Sequence, residues 1–172
     1  FQPVEFNNLF WSDDRFVYTV SPLTEDTATS ISKLNALGNN VFTQDIDLFT
    51  LNKTRKITGM VLSDITVDNE GAITIADITT GHLYQYDENC NLMSVFGGMG
   101  YQKGLFTQPV SLESDSENNL LVLDASKNTI TVMEQTFYGE KIRSANYLYG
   151  QGLYQESIEP WMEVHCRQGQ EC

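Results

Sequence analysis

A ten-residue line of sequence occurs twice in this chain, with an offset of 47 residues. Residues 68–77 read DNEGAITIAD and residues 115–124 read DSENNLLVLD. Both describe a polar turn that leads into a short strand of alternating apolar residues and ends in aspartate. The same offset relates residues 83–87 to residues 130–134. A fixed period of about forty to fifty residues built from strands predicts the blades of a β-propeller.

Three blade-like units of about four antiparallel strands each are predicted along residues 1–138, at about 4–50, 56–98 and 109–138. The fold class is therefore mainly β, a partial propeller. We expect strands at residues 9–11, 16–21, 31–35, 41–42, 57–61, 65–67, 73–76, 83–86, 92–96, 110–112, 120–123 and 129–133. The aspartates that end the repeated line, Asp77 and Asp124, are expected to anchor the turn that follows.

The period of the apolar residues changes to three and four in the tail, residues 139–172, which predicts a short pair of α-helices. Gly150 and Gly152 supply the break between them. Pro160 falls within the second helix, where it removes a backbone donor, so we expect that helix to start late or to kink.

Composition excludes some partners. The net charge is −13 with only 10 Lys and Arg residues, which argues against nucleic acid because a phosphate-binding surface needs clustered basic residues. No apolar run approaches the roughly 18–20 residues that span a bilayer. The chain begins with Phe1 rather than methionine, so we expect a processed form or a piece of a longer protein. Cys166 and Cys172 either pair or are incidental thiols, which leaves the redox compartment open.

The blade residues resemble NHL-repeat propellers. The connector FGGMGYQKGLFTQP at residues 96–109 matches the glycine-rich connector, aromatic residue and proline of that family, and residues 110–124 supply the following blade. Residues 64–77 match without the proline, and the first unit matches loosely, with Ser21 where aspartate is expected. Residues 145–157 look like the first helix pair of a tetratricopeptide repeat.

This combination is similar to bacterial, especially Firmicute, NHL-repeat proteins that carry helical repeats. The resemblance implies a location outside the cytoplasm, with tethering to a membrane through parts not in this chain. It also implies a ligand that is a protein or a carbohydrate. Propellers of the family close with about six blades, whereas this chain holds about three. Either the chain is part of a longer propeller, or two copies form a homodimer that completes a ring.

Metal-dependent propeller enzymes such as lactonases hold a cation at the central pore, with ligands at the start of each innermost strand. The units align Asn8, Asp64 and Ser111 at that position. Asn8 and Asp64 offer oxygen atoms of the kind that calcium prefers. The alternative is that all three are polar groups that line the pore and contact channel water.

The glycine run at residues 97–104 lacks the Gly-Lys-(Ser/Thr) of a phosphate loop, and no helix follows it. No histidine, serine or cysteine stands in a pattern typical of a catalytic residue. Among the aromatic residues of loops, Tyr101 and Phe106 in the connector are the expected recognition residues. We therefore expect a non-enzymatic interaction module without a cofactor, which binds through its loop face; the alternative is a divergent metal-dependent lactonase or lyase that holds calcium.

Overall fold

The chain is mainly β, with helices confined to its C-terminal part. The computed structural model describes residues 5–22, 31–42 and 60–167, with side chains described as far as residue 164. Three antiparallel sheets follow one another along the chain, and we call them blades 1, 2 and 3. Blade 1 contains β1 (Asn8–Trp11), β2 (Val17–Val20) and β3 (Ile31–Leu34). Blade 2 contains β4 (Leu62–Val67), β5 (Ile73–Asp77), β6 (His82–Tyr86) and β7 (Leu92–Gly97). Blade 3 contains β8 (Pro109–Ser114), β9 (Leu120–Asp124) and β10 (Thr129–Met133).

The strands of each sheet are ordered as they occur in the chain, and the first strand lies at one edge. The first strand of blade 2, β4, packs beside the first strands of the other two blades, β1 and β8. Successive sheets that meet along their first strands are the arrangement of propeller blades, so the predicted fold class is confirmed. Within the described residues the blades have three, four and three strands.

The expected strand at residues 57–61 lies mostly outside the described residues, and the strand expected at 65–67 is longer in the structure. Residues 51–59 lie outside the described part, and a single strand, β4, covers Leu62–Val67 with a bulge between Leu62 and Asp64. The gap between the two expected strands contains Ser63 and Asp64. Their side chains bond to blade 3, so these polar residues mark a contact between blades. The expected strand at 41–42 is also absent, with only an isolated bridge from Leu34 to Asn40 beside it.

Both faces of blade 2 are buried, because one alternate set of side chains faces each neighbouring blade. A first core cluster lies between blades 1 and 2, where their sheets face each other, and includes Ile31, Ile65 and Tyr84. A second cluster joins blades 2 and 3 and includes Leu83 and Leu112. Each fully buried aliphatic side chain contributes about 1.5–3 kcal/mol relative to an exposed one. Burial of these two clusters therefore stabilises the contacts between successive blades.

The two copies of the repeated turn have the same geometry. Asp68 Oδ1 accepts hydrogen bonds from the backbone N–H groups two and four residues ahead, at 3.0 and 2.9 Å, and Asp115 Oδ1 does the same at 2.8 and 2.9 Å. The fourth residue of each turn has a positive φ, which explains glycine in one copy and asparagine in the other: 83° at Gly71 and 63° at Asn118.

The two turns also touch each other across blades 2 and 3. The Asn69 backbone N–H donates to Asn118 Oδ1 at 3.0 Å, and the Asn69 amide donates to the Ser116 carbonyl at 3.3 Å. The Asn118 amide donates in turn to Glu70 Oε1 at 3.3 Å. The most recognisable line of the sequence therefore binds its own copy.

Residues 134–172 form a unit distinct from the sheets, and the predicted helix pair is confirmed there. Helix α1 covers Phe137–Gly150 and helix α2 covers Tyr154–Arg167, with Pro160 inside α2. The Thr136 hydroxyl caps α1 by accepting from the Gly139 N–H at 3.1 Å. Ala145 and Val164 are buried between the helices, and Lys141 pairs with Glu163 at 2.9 Å. In the part of the chain that the structure describes, neither helix is long and apolar enough to cross a membrane.

Candidate ligand-binding site

Asn8, Asp64 and Ser111 occupy equivalent positions in the three first strands. Each pairs with the corresponding position of the second strand: Asn8 with Val20, Asp64 with Ala76 and Ser111 with Leu123. The structure brings two of the three together, because the Ser111 hydroxyl donates to Asp64 Oδ2 at 2.8 Å. Asn8 Oδ1 accepts from the N–H of its own neighbour, Leu9, at 2.9 Å.

The Asp64 carboxylate is buried and accepts three hydrogen bonds. Besides Ser111, the Leu112 N–H donates to Oδ2 at 2.7 Å and the Ile65 N–H donates to Oδ1 at 2.8 Å. Burial raises the pKa of Asp64 above its ordinary value, although these hydrogen bonds act in the opposite direction. Two of the three bonds join blade 2 to blade 3, so this carboxylate links the blades.

Equivalent side chains one residue earlier form a second set of links. The Asn7 amide donates to the Leu62 carbonyl at 2.9 Å, and the Ser63 hydroxyl donates to the Pro109 carbonyl at 2.7 Å. Among residues 5–22, 31–42 and 60–164, no group of three or more His, Cys, Asp and Glu side chains could hold a metal ion. The side chains of Asn7, Ser63 and Asp64 thus bond to a neighbouring blade.

Asp77 and Asp124 anchor turns as predicted, and they also tie down the segment that enters each blade. Asp77 Oδ1 accepts from the N–H groups of Thr79, in the following turn, and of Val61, at 2.9 and 3.1 Å. Asp124 accepts from the Lys127 N–H at 3.0 Å and from both the N–H and the hydroxyl of Thr107, at 2.7 and 2.9 Å. These hydrogen bonds lower the pKa of Asp124 although burial raises it.

The two aromatic residues of the connector that were expected to recognise a ligand differ in their exposure to solvent. Tyr101 is 85% exposed, with Lys127 Nζ 5.9 Å from its ring centroid. Phe106 is fully buried in the second core cluster, so the expectation that it contributes to an exposed recognition surface is wrong. The tight path of the connector explains the burial: the Phe106 N–H donates to the Gly98 carbonyl at 2.8 Å, which turns the ring into the sheet.

A cleft of about 420 Å³ lies at the end of the sheet unit where the first strands end. Trp11, Val67 and Ser114, the last residues of β1, β4 and β8, all line it. Four carboxylates and one lysine also line it, and Trp11 is 64% exposed. The cleft therefore presents an aromatic surface within an acidic rim.

Lys33 is held in one place within this cleft. Its ammonium group lies 3.3 Å from Asp14 Oδ2, 4.4 Å from the ring centroid of Phe16 and 5.1 Å from that of Tyr18. Burial lowers the pKa of Lys33, but the Tyr18 hydroxyl and Asp14 outweigh it and raise the pKa overall. Asp14 has a lowered pKa because hydrogen bonds from Ser12 and Phe16, together with Lys33, outweigh its burial. Both groups stay charged at neutral pH.

The sequence contained only a faint signal of this cleft. Asp13 and Asp14 follow Trp11 two and three residues later, in the turn after β1, which places two carboxylates near an aromatic residue. Lys33 and Glu88 come from other loops and strands, and no spacing along the chain indicates that they meet Trp11.

Comparison with known proteins finds distant structural similarity only. No family model and no curated protein matches it. A solved structure of a streptogramin B lyase is 16% identical with a TM-score of 0.48, over 72% of this chain and 35% of that one. Virginiamycin B lyase from Staphylococcus aureus is 13% identical with a TM-score of 0.41, over 73% of this chain and 40% of that one. The chain thus spans about two-fifths or less of the length of these two proteins. The lyase activity in their names is a property of those proteins.

Proposed function

We propose that this chain is a non-enzymatic propeller module of the NHL type that binds a protein or a carbohydrate in the cleft at the ends of its first strands. The observation that carries the proposal is the exposed indole of Trp11 in a cleft that four carboxylates and one lysine also line. Binding sites typically combine an aromatic surface with a few placed polar groups, because the ring supplies contact area and the polar groups orient the ligand.

The charge of the cleft favours ligands that carry positive groups. Asp13, Asp14, Asp68 and Glu88 line it, and Lys33 is already engaged with Asp14. An ammonium or guanidinium group can lie against the indole face and pair with the rim carboxylates. A basic peptide segment and an amino-bearing glycan both have this chemistry.

The hydrogen bonds of Asp64 support a ligand-binding function over metal-dependent catalysis. Its carboxylate accepts hydrogen bonds from Ser111 and Leu112 of blade 3, which stabilises the contact between blades. The resemblance of the connector at residues 96–109 to NHL repeats, and of residues 145–157 to tetratricopeptide repeats, supports a recognition role outside the cytoplasm.

The test uses two pairs of probes on the full chain. A Trp161→Phe background leaves Trp11 as the one tryptophan, since the sequence contains two. Trp11 fluorescence is titrated with a chitosan tetrasaccharide against its fully N-acetylated counterpart, and with a lysine-rich peptide against its acetyl-lysine counterpart. We expect saturable binding of at least one cationic probe, weakened by salt because the contacts are charged.

Variants connect the binding to the cleft. Asp13→Asn and Glu88→Gln each remove a rim carboxylate and should weaken binding by about three- to tenfold. Glu117→Gln, in an exposed turn outside the cleft, is the matched control and should leave affinity unchanged. The proposal fails if neither cationic probe binds, or if both rim variants bind as the parent does. Calcium binding that is lost in Asp64→Ala and accompanies lactone hydrolysis would favour the lactonase class instead.

A further inference from the structure

The contact between blades repeats residue for residue. Ile31 on the β3 strand of blade 1 and Ile65 on the first strand of blade 2 belong to one core cluster. The equivalent residues one blade further along, Leu83 and Leu112, belong to the other. Strand register defines the equivalence, because Ile31 and Leu83 lie opposite Val20 and Ala76 at the ends of their second strands.

The same positions predict a third pair whose members do not meet within one chain. The residue of blade 3 that is equivalent to Leu83 is Ile130, and the residue of blade 1 that is equivalent to Ile65 and Leu112 is Leu9. Ile130 is 63% exposed and Leu9 is 60% exposed, whereas Ile65 and Leu83 are 1% and 0% exposed. Among the residues that the structure describes, one half of a blade contact is thus open at each end of the three blades.

The open face of blade 3 is more apolar than the closed face that it matches. Leu123 and Val132 flank Ile130 on this face, with exposures of 39% and 55%. At the position of Val132, blade 2 has Gln85, which bonds within its own sheet. An exposed apolar patch of this kind indicates a covering partner.

We propose that a second copy of this chain covers these faces, so that blade 3 of each copy packs on blade 1 of the other. Two copies of three blades give six, a number at which propellers close. Because the two faces differ, such contacts form a closed ring only if the rotation per copy is a whole fraction of a full turn, and a half turn gives the ring of two copies and six blades. A dimer is therefore the specific expectation.

One polar link is missing from the closing contact. Asn7 and Ser63 each donate from a side chain to the next blade, and the equivalent residue of blade 3 is Val110, which has no donor. The carbonyl equivalent to those of Leu62 and Pro109 belongs to Phe6. A Val110→Asn substitution should restore the link and tighten the dimer by about three- to tenfold.

Sedimentation equilibrium of the full chain over a wide concentration range tests the proposal. We expect a reversible species with twice the 19.4 kDa mass of one chain. Leu9→Lys and Ile130→Glu each bury a charge in the contact and should weaken dimerisation at least about a hundredfold. Circular dichroism of each variant confirms that the monomer stays folded, as expected for substitutions at exposed positions.

The double variant Leu9→Lys/Ile130→Glu separates a contact between these residues from a general effect of charge. It should recover most of the dimer, because the new lysine and glutamate meet across the ring. Leu37→Lys, at an apolar residue that is 84% exposed in a turn away from both faces, is the control and should leave the mass unchanged.

A chain that remains monomeric at millimolar concentration overturns the proposal, and so does a series of larger oligomers without a dominant dimer. Failure to recover dimer in the double variant also overturns the pairing of Leu9 with Ile130. The result is independent of the ligand experiment, because neither Leu9 nor Ile130 lines the cleft.

Discussion

Replacing Asp124 with asparagine should destabilise the sheet unit by about 3 kcal/mol. The carboxylate is fully buried and accepts from the backbone N–H groups of Thr107, Gln108 and Lys127, at 2.7, 3.2 and 3.0 Å. In asparagine, an NH₂ group replaces Oδ2 and faces the Thr107 N–H, so this short bond is lost. Bonds to charged groups contribute about 1.5–3 kcal/mol each, and the bonds that survive at Oδ1 become neutral and weaker.

Urea unfolding followed by Trp11 fluorescence, in a Trp161→Phe background, measures the change in the sheet unit alone. With a urea slope of about 1–3 kcal/mol per molar, 3 kcal/mol lowers the midpoint by about 1–3 M. Thr107→Val is the matched control: it removes the hydroxyl that donates to Asp124 at 2.9 Å and keeps the backbone donor, so it should cost about 1 kcal/mol.

The pH dependence gives an independent readout. Because the folded pKa of Asp124 is lowered, its stabilisation is complete above the unfolded carboxyl pKa of about 3.9 and is lost as pH falls through the folded pKa. The difference between wild type and Asp124→Asn should therefore shrink as the pH is lowered below about 4. If the variant unfolds within about 0.5 kcal/mol of wild type at pH 7, the hydrogen bonds of Asp124 do not stabilise this blade.

Three further predictions follow from the backbone and from Asp64. Gly97→Ala should destabilise the fold by more than about 3 kcal/mol in urea unfolding, because φ is +79° and the new Cβ would lie 2.7 Å from the Gly81 carbonyl oxygen. Gly104→Ala is the control: φ is +81° with open space around it, so the substitution should cost only about 1 kcal/mol. Equal losses of stability in the two variants would contradict the steric reasoning. Arg15→Gly should raise the free energy of unfolding by up to about 1 kcal/mol, since an exposed arginine there holds φ at 67°; a lower midpoint would refute this. Because the folded pKa of Asp64 is raised, the free energy of unfolding falls as pH rises from about 4 through that folded value. Asp64→Asn should therefore lose less stability than wild type over this pH window. An unchanged pH profile would contradict the effect of burial on Asp64.

The repeat was sufficient to predict the blades because each strand is flanked by its own turn signals. Residues 73–76 and 120–123 were expected as strands and lie within β5 and β9. The inner strand of blade 2 was harder to predict, because Ser63 and Asp64 interrupt its apolar residues and bond to the neighbouring blade. Polar residues that bond across a tertiary contact have no local signature.

The site was less predictable than the fold for a similar reason. Phe106 and Tyr101 both lie among glycines in one connector, yet one is fully buried and the other is 85% exposed. Composition alone does not say which ring turns inward. The cleft around Trp11 depends on the ends of three strands that are far apart in the chain, so it becomes visible only when the blades are assembled.

The contact between Asn69 and the turn at Ser116 and Asn118 has a consequence for how such chains change over time. The first copy donates to the second through Asn69, and the second copy donates back to the first through Asn118. In a longer row of such turns, a copy with a neighbour on each side would make two such contacts, whereas a copy at the end would make one. Duplicating a unit of 47 residues reproduces both halves of the contact together, so a blade can be gained or lost without inventing a new junction.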